Sequence, residues 1–311
     1  MSTRKLSSHL TRTKLSLASL GVAAVSALVA TLVLGASPAG AATQYPVTGS
    51  LPQGVFESLP NPAASPAGVN VPGCQLTAAH PRPVVLINGT FSNMIDDWSG
   101  LGPTLANQGY CVYDTAIGGS PYGVLQTMGP VVTSTQEISS FVNQVLANTG
   151  ASQVDLVGHS QGGLIGEYYL KLLGGASKVH SYVGLSPTTH GTTLDGLATL
   201  AGFFPGANLL VGAACAGCVD QEKGSTVVNA LSNGPIAVPG VDYTVIETHN
   251  ETVVTPAGSS FINEPGVHNE WLQNYCPFDF TDHADLSYDH GVYGLVENAL
   301  DPQNAKPVSC S

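Results

Sequence analysis

The amino-acid sequence predicts an α/β fold, with a mainly parallel central sheet and helices on both of its faces. Two patterns carry that expectation. Short continuous apolar runs recur along the chain at the length of a strand buried on both faces, and segments with helical spacing lie between them. Strands and helices that alternate in this way build a parallel sheet covered on both sides.

The first stretch of the 311-residue chain carries Arg4, Lys5, Arg12 and Lys14, then an apolar run from Leu15 to Leu34, then Pro38 and the small triplet Ala39-Gly40-Ala41. Basic, apolar and cleavable segments in that order predict a secretory signal peptide over residues 1–42 and an extracellular mature chain. The rival, an uncleaved anchor, has an apolar run of nearly the right length, but the helix-breaking proline and the A-x-A site directly after it favour cleavage. Residues 43–83 are rich in Pro, Gly, Ser and Ala without a sustained apolar period, and are expected to form an extended lead-in over the domain surface. Residues 84–311 are expected to form one catalytic domain.

In that domain the predicted strands are Pro83 to Asn88, Tyr110 to Asp114, Val154 to Gly158, His180 to Leu185 and Tyr243 to Glu247. The predicted helices include Trp98 to Asn107, Thr135 to Asn148, Leu164 to Leu173 and Val292 to Leu300. Leu194 to Val211 is apolar and glycine-rich and reads as a packed helix or a flap.

Charge narrows the partners. Four of the nine Lys and Arg residues lie in the leader, which leaves five bases against twenty-one acids and a formal charge of −16. That surface repels nucleic acid and anionic head groups but not a neutral ester, so no nucleic-acid partner is expected. Six cysteines in an exported chain suggest three disulfides, with fifteen connectivities open. Cys215-Ala-Gly-Cys218 has a zinc-type spacing but no second pair to complete a tetrahedral site, and no metal is expected. Asp282, Asp285 and Asp289 likewise lack a recognised calcium-loop spacing.

Gly158-His159-Ser160-Gln161-Gly162 fits G-x-S-x-G, with a strand before it and a helix after it, which is the context of a nucleophile elbow on an α/β-hydrolase fold. Ser160 is the predicted nucleophile. A serine hydroxyl needs an imidazole to take its proton and an acid to orient that imidazole, and on this fold both follow the serine in the chain. His283 and His290 both lie just before the predicted last helix, and spacing alone does not separate them. Glu251 is the only carboxylate in the loop that follows the last predicted strand, with Asp242 and Asp279 as weaker alternatives. Oxyanion donors are expected from the backbone of Gln161 and from Thr90 in the loop after the first strand.

The chain resembles the secreted lipase class 2 family of actinobacteria and, more distantly, the fungal lipase B type. The resemblance runs from about Cys74 onward and rests on VVLINGTFSNMIDDW, GYCVY, VDLVGHSQGG, THGTTLDGL with FFPGANLL, ETVVTP, DHADLSYD and ENALDP in family order. It implies His283 over His290 as base, and Thr90 and Gln161 as oxyanion donors. It also implies disulfides Cys74–Cys111, Cys215–Cys218 and Cys276–Cys310, the second of which needs a local turn that suits so short a ring. Two positions depart from the family. Glu251 stands where Asp is usual, and Asn88 stands where His often precedes Gly. The implied activity is triacylglycerol hydrolysis through an acyl-enzyme, without a cofactor, on a lipid or other neutral ester and with transient contact to a lipid interface. An extracellular acyltransferase, a short-chain esterase and an inactive binding protein of the same fold are the alternatives. Nothing in the sequence sets the oligomeric state.

Overall fold

A computed structural model describes residues 44–120, 122–210 and 214–311. The predicted signal peptide lies outside the described residues, as does Val211 at the end of the apolar segment.

The chain runs α1 (Leu51–Ser58), β1 (Val84–Ile87), α2 (Met94–Trp98), α3 (Leu101–Asn107), β2 (Val112–Tyr113), α4 (Val131–Thr149) and β3 (Val154–His159). It continues through α5 (Gln161–Leu172), β4 (Val179–Leu185), α6 (Leu194–Gly202), α7 (Ala216–Asp220), α8 (Thr226–Leu231), β5 (Asp242–Glu247), β6 (Val267–Trp271), α9 (Leu272–Tyr275) and α10 (His290–Leu300). The strands form one sheet in the order β2-β1-β3-β4-β5-β6, and each neighbouring pair is parallel.

Alternation along the strands divides the core. Val85 and Ile87 of β1 pack with Ile138 and Val142 of α4, Ile165 of α5 and Val227 of α8, whereas Val84 and Leu86 point to the other face with Leu101 and Leu105 of α3 and Val292 and Val296 of α10. β1 and β3 are buried at every position, which is why β1 reads as an unbroken apolar run, while β3 carries two buried polar residues that are paired, Asp155 to Arg82 and His159 to Asp97. A third cluster, containing Leu51, Phe91, Leu200, Phe204, Val253 and Ala284, lies off the sheet.

Several expectations are corrected. The predicted helix from Trp98 to Asn107 is two helices, because the chain breaks at Ser99-Gly100. A Cβ on Gly100 would stand 2.4 Å from the Tyr293 hydroxyl and 2.6 Å from the Ser287 carbonyl oxygen, so the break lets α10 and its preceding loop approach closely. The lead-in is not extended throughout, since α1 lies within it and buries Leu51. β6 was not expected, because it is a half-buried edge strand whose sequence VHNEW has no apolar run. The stretch from Leu194 contains a packed helix, α6, which buries Leu197, Leu200 and Ala201.

The described cysteines close three disulfides, Cys74–Cys111, Cys215–Cys218 and Cys276–Cys310. The short second ring sits on the first turn of α7, where Cys215 is the N-cap and Cys218 lies three residues on. Among the described residues no helix is long and apolar enough to cross a membrane.

Candidate functional site

The site forms where strand order reverses. The chain leaves β1 for β2 on one side and returns to β3 on the other, so the loops beyond β1 and β3 diverge from adjacent strand ends and leave a crevice between them. Ile87 is in register with Gly158, which brings Asn88-Gly89-Thr90 beside His159-Ser160.

Ser160 joins β3 directly to α5 with φ 54° and ψ −121°, a conformation that L-residues rarely adopt. The turn is possible only because its flanks lack side chains. A Cβ on Gly162 would stand 2.0 Å from the Ile87 carbonyl oxygen, and one on Gly158 would stand 2.5 Å from the Gly162 carbonyl oxygen. Ser160 is 1% exposed, and its Oγ is buried without a hydrogen-bond partner.

His283 and Glu251 come from different loops that a parallel bridge between Asn250 and Asp282 holds side by side. His283 Nδ1 lies 2.8 Å from Glu251 Oε2, and both side chains are fully buried. Glu251 Oε1 accepts the N–H groups of Val253 at 2.6 Å and Val254 at 2.9 Å. Burial alone would raise the Glu251 carboxyl. The adjacent His283, its hydrogen bond and the two backbone donors outweigh burial and hold the pKa at about 2. An ionised Glu251 accepts, so Nδ1 of His283 carries the proton and Nε2, which is buried and unbonded, is the free basic nitrogen. His290 is exposed at the start of α10. Asp242 is exposed at the far end of β5, and the Asp279 carboxylate accepts the Thr281 N–H.

Thr90 is buried and lines the same cavity as Ser160. Its Oγ1 accepts a hydrogen bond from Gln221 Nε2 at 2.7 Å. Gln161 is the first residue of α5, where backbone N–H groups have no partner within the helix. Asn88 does not face this cavity as a donor but accepts the Trp98 indole N–H at 2.7 Å. The cavity holds about 10 Å³ and is lined also by Leu51 of α1, Leu200 of α6 and Phe204.

Sequence reasoning missed three features. Leu51 lies in the segment expected to be an extended lead-in, yet it lines the Ser160 cavity. Gln221 sits at the end of α7 with no motif around it. Asp97 and His159 were both inside quoted motifs, yet nothing in their spacing shows that Asp97 Oδ1 and His159 Nδ1 lie 2.7 Å apart.

An imidazole paired to a carboxylate and an unbonded serine hydroxyl on a strained strand-to-helix turn are parts for nucleophilic acyl transfer, and Ser160 Oγ and His283 Nε2 are not hydrogen-bonded to each other in this structure. Residues 82–211 match the alpha/beta hydrolase fold family. A triacylglycerol lipase of Burkholderia plantarii is 38% identical over 111 residues, 34% of this chain and 29% of that protein. A triacylglycerol lipase of Pseudarthrobacter phenanthrenivorans is 38% identical over 96 residues, 29% of this chain and 28% of that protein. The chain thus spans less than a third of the length of these curated relatives. The crystal structure of Aspergillus fumigatus lipase B superposes with a TM-score of 0.55 at 19% identity, covering 79% of this chain and 56% of that one. The fold is that of the α/β hydrolases.

Proposed function

We propose that this α/β-hydrolase-fold protein is a secreted carboxylic ester hydrolase, a triacylglycerol lipase of the class 2 type, with Ser160, His283 and Glu251 as its triad. The observation that carries the reading is the buried 2.8 Å pair between His283 Nδ1 and Glu251 Oε2, which leaves Nε2 as the basic nitrogen, buried and without another partner. The similarity to two triacylglycerol lipases supports the substrate class, and three disulfides suit an oxidising compartment.

In this reading Ser160 Oγ attacks the ester carbonyl carbon while His283 Nε2 takes the hydroxyl proton. The oxyanion is held by the backbone N–H groups of Thr90 and Gln161. The tetrahedral adduct collapses to an acyl-enzyme as the His283 imidazolium gives its proton to the departing alcohol. Water, deprotonated by His283, then attacks the acyl carbonyl, and the fatty acid leaves as Ser160 recovers its proton. Glu251 stays ionised throughout and stabilises the imidazolium. The cycle requires only these side chains, the two backbone donors and water.

The test is hydrolysis of p-nitrophenyl esters from acetate to palmitate, and of emulsified triolein, by the mature protein beside Ser160→Ala. Serine-dependent release of long-chain acid supports the lipase. Cleavage confined to short chains makes the protein a carboxylesterase, ester products formed only with added alcohol make it an acyltransferase, and no serine-dependent product sinks the reading.

A further inference from the structure

His159 Nδ1 lies 2.7 Å from Asp97 Oδ1, and His159 Nε2 lies 2.9 Å from the carbonyl oxygen of His283. Both rings and the Asp97 carboxylate are buried, with His159 4% exposed and Asp97 2%. We propose that His159, held by Asp97, is a positioning residue for His283, standing as a fixed imidazolium whose Nε2–H holds the backbone of the base. The proposal rests on the ester-hydrolase reading above.

A carbonyl oxygen only accepts, and an ionised carboxylate only accepts, so His159 must donate from both nitrogens, which only the imidazolium can do. The second Asp97 oxygen, Oδ2, accepts the N–H of Gly89 at 2.6 Å, one residue before Thr90. A single carboxylate–imidazolium pair therefore ties together the loop that carries Thr90, the turn that carries Ser160 and the loop that carries His283. Burial opposes the charge on His159. The Asp97 charge and hydrogen bond, the His283 carbonyl and the Glu251 charge outweigh it and raise its pKa above the ordinary imidazole value.

The charged and titratable groups around the ring come from each element packed on it. They are Asp97 with its neighbour Asp96 on α2, Glu251 in the loop beyond β5, and His283 with Asp285 in the loop before α10. The His159 and His283 ring centroids are 5.1 Å apart.

The experiment compares wild type, His159→Phe, which removes donor and charge, and His159→Gln, which keeps a donor without the charge. For each, kcat and KM for a soluble ester are measured across pH, with Ser160→Ala as blank. In His159→Phe, kcat is expected to fall by up to about 100-fold with little change in KM, as for a misplaced catalytic group. Gln should restore part of kcat. Gln no better than Phe, or a loss in Phe that appears in KM and not in kcat, overturns the proposal. Absence of serine-dependent turnover in the wild type itself overturns the hydrolase reading and this one with it.

Should the Phe variant not fold, imidazole ¹⁵N spectra of the wild type decide. One histidine with both nitrogens protonated at pH 8, lost in Asp97→Asn, upholds the proposal, and its absence in the wild type overturns it.

Discussion

Glu251 reaches His283 with Oε2 at 2.8 Å while the N–H groups of Val253 and Val254 hold its Oε1. The carboxylate is therefore fixed at both oxygens, and the turn that fixes it is built for the longer glutamate side chain. Substituting Glu251→Asp is expected to retract the carboxylate by one methylene and lower kcat by about 10-fold to 100-fold. Glu251→Gln, which keeps the shape but loses the charge, should lower it by on the order of 10³–10⁴-fold, with KM little changed. Initial rates on a soluble ester check both, and a Gln variant within tenfold of wild type would remove Glu251 from the triad.

The same pair has a stability signature. The Glu251 pKa lies at about 2 in the folded chain, below its ordinary 4.5, so its contribution is complete above pH 4.5 and lost as pH falls towards 2. Melting temperatures of wild type and Glu251→Gln should differ at pH 6 and converge as pH approaches 2. Parallel curves would contradict the pairing.

Thr90 Oγ1 accepts from Gln221, which leaves the hydroxyl proton for another acceptor in the Ser160 cavity. If the hydroxyl adds a further oxyanion donor beside the Thr90 backbone N–H, which Thr90→Val keeps, the variant lowers kcat by on the order of 10²-fold without a matching change in KM. Gln221→Leu should have a smaller effect in the same direction, because the hydroxyl remains but is no longer oriented. Steady-state kinetics of the two variants test the order, and a Thr90→Val enzyme with unchanged kcat would show that the hydroxyl takes no part.

The elbow was legible because its residues are contiguous: Gly158 is demanded by the backbone of Gly162 and Gly163 within the motif, while Gly162 is demanded by β1 at Ile87 and Asn88, a contact that the motif records only as a spacing of glycines. The core strands were legible because burial on both faces leaves an apolar run. β6 was not, since an edge strand with one covered face keeps polar residues such as His268 and Glu270. The choice between His283 and His290 needed the family resemblance, because burial separates them and spacing does not. Gln221 lies 131 residues from Thr90, and no pattern in the sequence records that contact.

Leu51, Leu200 and Phe204 line the cavity at Ser160, which holds only about 10 Å³, far below the usual range for ligand pockets of about 300–1,000 Å³. Leu200→Ala is expected to admit a small fluorophosphonate to Ser160 faster than wild type, at a cost of roughly 2–4 kcal/mol in stability from the lost packing. Labelling rate and denaturant midpoint report the two effects separately. A slower label in a folded variant would mean that Leu200 does not obstruct entry.

Glu167 on α5 is fully buried, with its Oε1 accepting the Thr189 hydroxyl at 2.8 Å and lying 3.1 Å from the Tyr182 hydroxyl. Burial pushes its pKa from 4.5 up to about 8, against the two hydrogen bonds, which favour the ionised form. Because the folded value lies above the unfolded one, the unfolded chain releases this proton first as pH rises. Stability from this group is therefore complete below pH 4.5 and declines up to about pH 8. Glu167→Gln keeps an oxygen for both hydroxyls and cannot ionise. It should match wild type near pH 4.5 and exceed it at pH 8 by on the order of 1–3 kcal/mol. A residual decline is expected in the variant as well, since burial also raises Asp114 and Glu247 to about 7. Denaturant unfolding at several pH values measures the difference, and a gap that does not widen with pH would show that Glu167 ionises normally in the folded protein.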